Sequence, residues 1–67
     1  MPIISVTMIE GRSSEEKQAF MGALTAAATT TLGSPPESVR VILNEVSSDN
    51  FSVAGETMTA RRAKNNS

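Results

Sequence analysis

Only one ordinary group in this sequence titrates near neutral pH, and it is the chain's own α-amino terminus. The 67 residues contain no histidine and no cysteine, so no side chain has an unperturbed pKa between about 5 and 8. Histidine-activated serine or cysteine nucleophiles, zinc held by histidine or cysteine, and disulfide staples are all excluded. The chain begins Met1-Pro2. Initiator methionine is commonly removed before a small residue, and proline qualifies. Its removal would leave a secondary amine on a rigid ring, whose neutral form burial and nearby cations would both favour. A neutral amine at pH 7 is a competent general base. The plainer alternative is that Pro2 merely opens a strand, where its missing N–H costs nothing.

Two arginines sit where a cation could act. Arg12 follows Glu10-Gly11 in a turn, and Arg40 lies inside the apolar run Val39-Arg40-Val41-Ile42-Leu43. Guanidinium groups take carboxylates bidentately, so both are candidate anchors for an acidic substrate. The alternatives are a solvated turn residue for Arg12 and a glutamate ion pair for Arg40. Phe51, one of two aromatics, is either satellite core or an apolar wall. Ser13-Ser14 and Thr29-Thr30-Thr31 have no base to activate them. No phosphate loop, metal-ligand spacing or aromatic platform for RNA is present.

The elements that must position these residues follow from the pattern. Ile3 to Ile9 is β-branched and apolar on both faces, and reads as a strand buried at least partly on both sides. Ser13-Ser14-Glu15-Glu16 is a capping-box pattern. Ala19, Phe20, Ala23, Leu24, Ala27, Thr31 and Leu32 recur at helical spacing, which predicts an amphipathic helix over 14–32. Gly33 and Pro35-Pro36 stop it. A second strand over 39–46 completes a β-α-β unit, whose strands must run parallel. Ser47 to Asn50 is a turn cluster, Phe51 to Gly55 suits a short strand or hairpin, and 63–67 reads as a frayed basic tail. The fold class is α+β, one domain over 1–67.

A chain this short buries only about 60% of the surface it exposes when unfolded, so its stability is marginal. A two-stranded parallel sheet with one helix does not stand alone, and self-association is the expected remedy. Six Lys and Arg against seven Asp and Glu give no basic excess for nucleic acid. Apolar runs are too short for a signal peptide or membrane span, and the absence of cysteine fits the cytoplasm.

Taken together, Pro2-Ile3 heading a strand, Glu10-Gly11-Arg12-Ser13, Ser38-Val39-Arg40-Val41-Ile42 and Phe51 resemble the 4-oxalocrotonate tautomerase family, over essentially the whole chain to about Arg62. The resemblance implies a β-α-β subunit with a C-terminal hairpin, assembled as dimers and in short members usually as hexamers, with active sites shared between subunits. It implies an isomerase of aromatic hydrocarbon catabolism that interconverts enol and keto forms of unsaturated 2-oxo dicarboxylates such as 2-hydroxymuconate, with no cofactor. Pro2 would be the general base. Arg40 from a neighbouring subunit would bind the 2-oxo group and its carboxylate. Arg12 would bind the far carboxylate, Phe51 would keep the amine desolvated, and the backbone N–H of Ile9 would help through water. Arg62 would be a third cation. Dehalogenases of the superfamily carry a carboxylate where Val53 stands and an arginine where Ile9 stands, so that activity is not expected here. Two alternatives stay open: another substrate of the phenylpyruvate type, and a non-catalytic subunit of a hetero-oligomer.

Overall fold

The computed structural model describes residues 1–65. The chain runs β1 (Ile3–Ile9), α1 (Ser14–Leu32), β2 (Arg40–Val46), β3 (Ser52–Val53), β4 (Glu56–Thr57) and α2 (Met58–Asn65). β1 and β2 pair in parallel, from Ile3 opposite Arg40 to Ile9 opposite Val46. The ladder extends at both ends: the Arg40 N–H donates to the Pro2 carbonyl at 3.0 Å, and the Glu10 N–H to the Val46 carbonyl at 2.9 Å. This is the expected β-α-β unit.

α1 has the predicted ends, and the local chemistry explains both. The Ser13 hydroxyl accepts the Glu16 N–H at 3.1 Å, while the Ser13 N–H donates to Glu16 Oε1 at 3.0 Å. Two of the first-turn donors are thereby satisfied. At the far end Gly33 turns left-handed (φ 72°) and donates its N–H to the Thr29 carbonyl, a conformation that suits glycine.

The face that α1 turns to the sheet differs from the expected one. Met21, Leu24, Thr25 and Thr29 are half-buried and Ala28 is buried, whereas Ala19, Phe20, Ala23, Ala27, Thr31 and Leu32 are exposed. Of the expected stripe only Leu24 is covered. The helix is apolar around much of its girth, so periodicity offers two stripes. An ion pair from Lys17 to Glu45 of β2, at 2.9 Å, ties the start of the helix to the strand on the covered side. β1 is likewise covered on one face only: Ile4, Val6 and Met8 are half-buried, while Ile3, Ser5 and Thr7 are exposed. The expectation of burial on both sides does not hold within one chain, because none of the described residues covers the second face.

After a turn at Ser48–Asn50, β3 and β4 form an antiparallel hairpin with Ser52 opposite Thr57 and Val53 opposite Glu56. The expected frayed tail is corrected over Ala63–Asn65, which belong to α2; residues 66–67 lie outside the described residues. α2 is held down by polar contacts rather than by an apolar stripe. The Thr57 hydroxyl accepts the Ala60 N–H at 3.2 Å. The Glu56 carboxylate pairs with Arg61 and Lys64, one turn apart, and Thr59 donates to Asp49. Among the described residues no helix is long and apolar enough to cross a membrane.

Candidate active site

The chain places its candidate residues at two ends of one sheet. At the carboxyl end of β1 an open cavity of about 480 Å³ is lined by residues including Ile9, Glu10, Arg12, Glu16, Phe51 and Arg62. Gly11 (φ 131°) turns the chain out of β1 in a conformation that disfavours other residues, and Arg12 follows it. Phe51 is brought over by the turn after β2. It is pinned by its carbonyl, which accepts the Met58 N–H at 2.8 Å. Neither Arg12 nor Arg62 forms an ion pair among the described residues.

Pro2 and Arg40 lie at the other end. The hydrogen bond from the Arg40 N–H to the Pro2 carbonyl fixes the two side by side at the heads of neighbouring strands. Pro2 is half-buried, whereas Met1 is 78% exposed. The Arg40 side chain is exposed and donates from Nη1 to the Glu37 carbonyl at 2.5 Å. Its partner is thus a backbone oxygen rather than the glutamate carboxylate considered from sequence.

The seven residues of β1 separate these two clusters by roughly 20 Å at about 3.3 Å per residue. That gap exceeds the reach of one side chain and one small acid together, so Pro2 and Arg12 of one chain do not meet on the same small molecule. Each end carries part of the candidate set: Pro2 with the backbone of Arg40 at one, and Phe51 with Arg12 and Arg62 at the other. Sequence reasoning did not bring the carboxylates of Glu10 and Glu16 into the site, and it had Arg62 as a third cation at the edge of a frayed tail rather than within a helix. A signal for the helix that carries Arg62 was present: Thr57 is a residue type that caps a helix start, and its hydroxyl accepts the Ala60 N–H. Bonds to the ionised form hold the Glu16 carboxyl below its ordinary value of 4.5, first from the Ser13 N–H, then from its hydroxyl, with a smaller pull from Arg12.

Known proteins align with this arrangement along nearly the whole chain. Residues 2–61 match the family model described as tautomerase enzyme. A probable tautomerase of Ralstonia nicotianae is 53% identical over 62 residues, which cover 92% of this chain and 89% of that protein. Among solved structures, TomN, a 4-oxalocrotonate tautomerase homologue in the tomaymycin biosynthetic pathway, superposes with a TM-score of 0.90 at 50% identity, covering 92% of this chain and 95% of that one. A heterohexamer 4-oxalocrotonate tautomerase from Chloroflexus aurantiacus superposes with a TM-score of 0.84 at 39% identity, covering 88% and 95%.

Proposed function

Since the chain belongs to the tautomerase family and is an isomerase, we propose that it interconverts enol and keto forms of unsaturated 2-oxo dicarboxylates, 4-oxalocrotonate and its enol 2-hydroxymuconate among them. In this reading Met1 is removed and the Pro2 amine is the base. It takes a proton from one position of the conjugated acid and returns it at another, so the amine is regenerated and the product is an isomer. Negative charge builds on the 2-oxo oxygen during the transfer. A guanidinium fixed there lowers the barrier, and Arg40 supplies it. Arg12 holds the far carboxylate, Phe51 closes the apolar side, and the Ile9 backbone helps orient the substrate. The enzyme would act in the cytoplasm, in the breakdown of aromatic compounds.

The observation that carries this reading is the meeting of Arg12, Phe51 and Ile9 in one cavity, although they come from a turn, a post-strand loop and a strand end. The distance from that cavity to Pro2 supports a site completed between subunits, as does the resemblance to a heterohexameric tautomerase. The test is ketonisation of 2-hydroxymuconate by the processed protein, whose intact mass must show the loss of Met1. Pro2→Ala should lower kcat/KM about 10²-fold or more, and Arg40→Ala should lower kcat steeply. Full activity in both variants would refute the mechanism.

A further inference from the structure

The cavity at the Arg12 end is neutral where a dianion would call for surplus positive charge. Two guanidinium groups line it, Arg12 and Arg62, and so do two carboxylates, Glu10 and Glu16. Glu16 is the one fixed by its surroundings. Its Oε1 accepts the Ser13 N–H and its own N–H donates to the Ser13 hydroxyl, so the carboxylate cannot swing out without breaking the helix cap. Glu16 and Arg12 also share the lining of a second, more apolar cavity with Met8, Lys17, Ala19 and Phe20, where Lys17 is already paired with Glu45. The two side chains therefore stand together on the wall between the cavities. An exposed glutamate is ionised at neutral pH in any case, and the capping bonds lower its pKa further.

We propose that Glu16 is a specificity-determining residue, whose fixed carboxylate offsets Arg12 and weakens recognition of a substrate's second carboxylate, shifting the site toward 2-oxo acids that carry one. The proposal rests on the tautomerase reading for its substrates and on the cavity geometry for its direction. Glu16 does not touch the reacting carbons. It acts on the far end of the substrate through the field at Arg12, and because it is exposed the effect is a few-fold rather than orders of magnitude.

The test compares acids with two carboxylates against acids with one, on Glu16→Gln and on Glu15→Gln. Glutamine at position 16 keeps an oxygen for the Ser13 N–H, so the cap survives. Glu15 lies in the same helical turn and outside the cavity lining, so its neutralisation controls for net charge. Glu16→Gln should raise the affinity ratio of muconate to sorbate by about threefold, and the kcat/KM ratio of 2-hydroxymuconate to phenylenolpyruvate by a similar factor. Glu15→Gln should move neither ratio. An unchanged ratio in Glu16→Gln, or an equal rise in both variants, overturns the proposal. If the wild type turns over neither substrate, the proposed substrate class falls, and the binding ratio still decides the role of Glu16. If neither acid binds any variant, the cavity is no carboxylate site and the proposal falls as well.

Discussion

Ser13 and Glu16 show how one local contact serves both stability and charge. The Glu16 carboxyl is held below 4.5 by the Ser13 N–H and hydroxyl. A carboxyl whose pKa is depressed on folding stabilises the fold above its unfolded value and loses that contribution as pH falls through the folded one. The difference in unfolding midpoint between wild type and Glu16→Gln should therefore shrink as pH drops below 4.5, measured by circular dichroism at fixed protein concentration. Ala54 is a second such position. It sits at φ 54° beside Gly55 at φ 81°, the pair of left-handed residues that a two-residue hairpin turn requires. Alanine is strained there by about 1 kcal/mol, and asparagine tolerates the region better. Ala54→Asn should raise stability by about 0.5–1 kcal/mol in denaturant titration. Pro2, Arg12, Arg40 and Phe51 stood out in the sequence only in combination, as a resemblance to a family pattern, since each alone has a plain structural reading. Glu16 was legible only as a cap: local spacing places a residue on a helix, but not against a cavity built by remote turns.

Elements were legible at their ends and less so on their faces. Ser13, Gly33 and the proline pair fix α1 by local hydrogen bonding, which a sequence displays directly. Which stripe of an alanine-rich helix meets the sheet depends on contacts such as Lys17 with Glu45 across 28 residues, and no local pattern contains that. α2 was missed because it is short and polar, eight residues in which only Met58, Ala60 and Ala63 are apolar, and is secured by ion pairs to Glu56 and capping by Thr57. The covered stripe can be tested at Ala28, which is 6% exposed where α1 approaches the sheet. Ala28→Leu should overpack this contact and cost about 1–3 kcal/mol in chemical unfolding. The same change at exposed Ala27 would not crowd the interior of the chain.

At the scale of the whole molecule, one chain is too open to be finished. Its radius of gyration is 15.4 Å, against about 11 Å for a compact chain of this length. Its accessible surface is 4783 Å², against roughly 4,100 Å². Ile3, Leu32 and Ile42 are 61%, 67% and 49% exposed, on faces that the chain itself cannot cover. The expectation of self-association from length alone thus gains a physical address. A catalytic centre made from opposite ends of different copies yields a sharp prediction. Pro2→Ala and Arg12→Ala, each nearly inactive alone on the dicarboxylate, should regain activity when unfolded together and refolded as a mixture. About a quarter of random pairings reunite an intact Pro2 with an intact Arg12; additive residual rates would place both residues in the same copy's site. The parallel register carries one more consequence, for how the chain folds. Ile3 meets Arg40 and Ile9 meets Val46, so every pair closes the same length of chain. The entropy of bringing distant segments together falls on the first pair alone, and the remaining pairs follow at little further cost. The strand pair is therefore expected to zip in a single event, with no stable state in which only half of the ladder has formed.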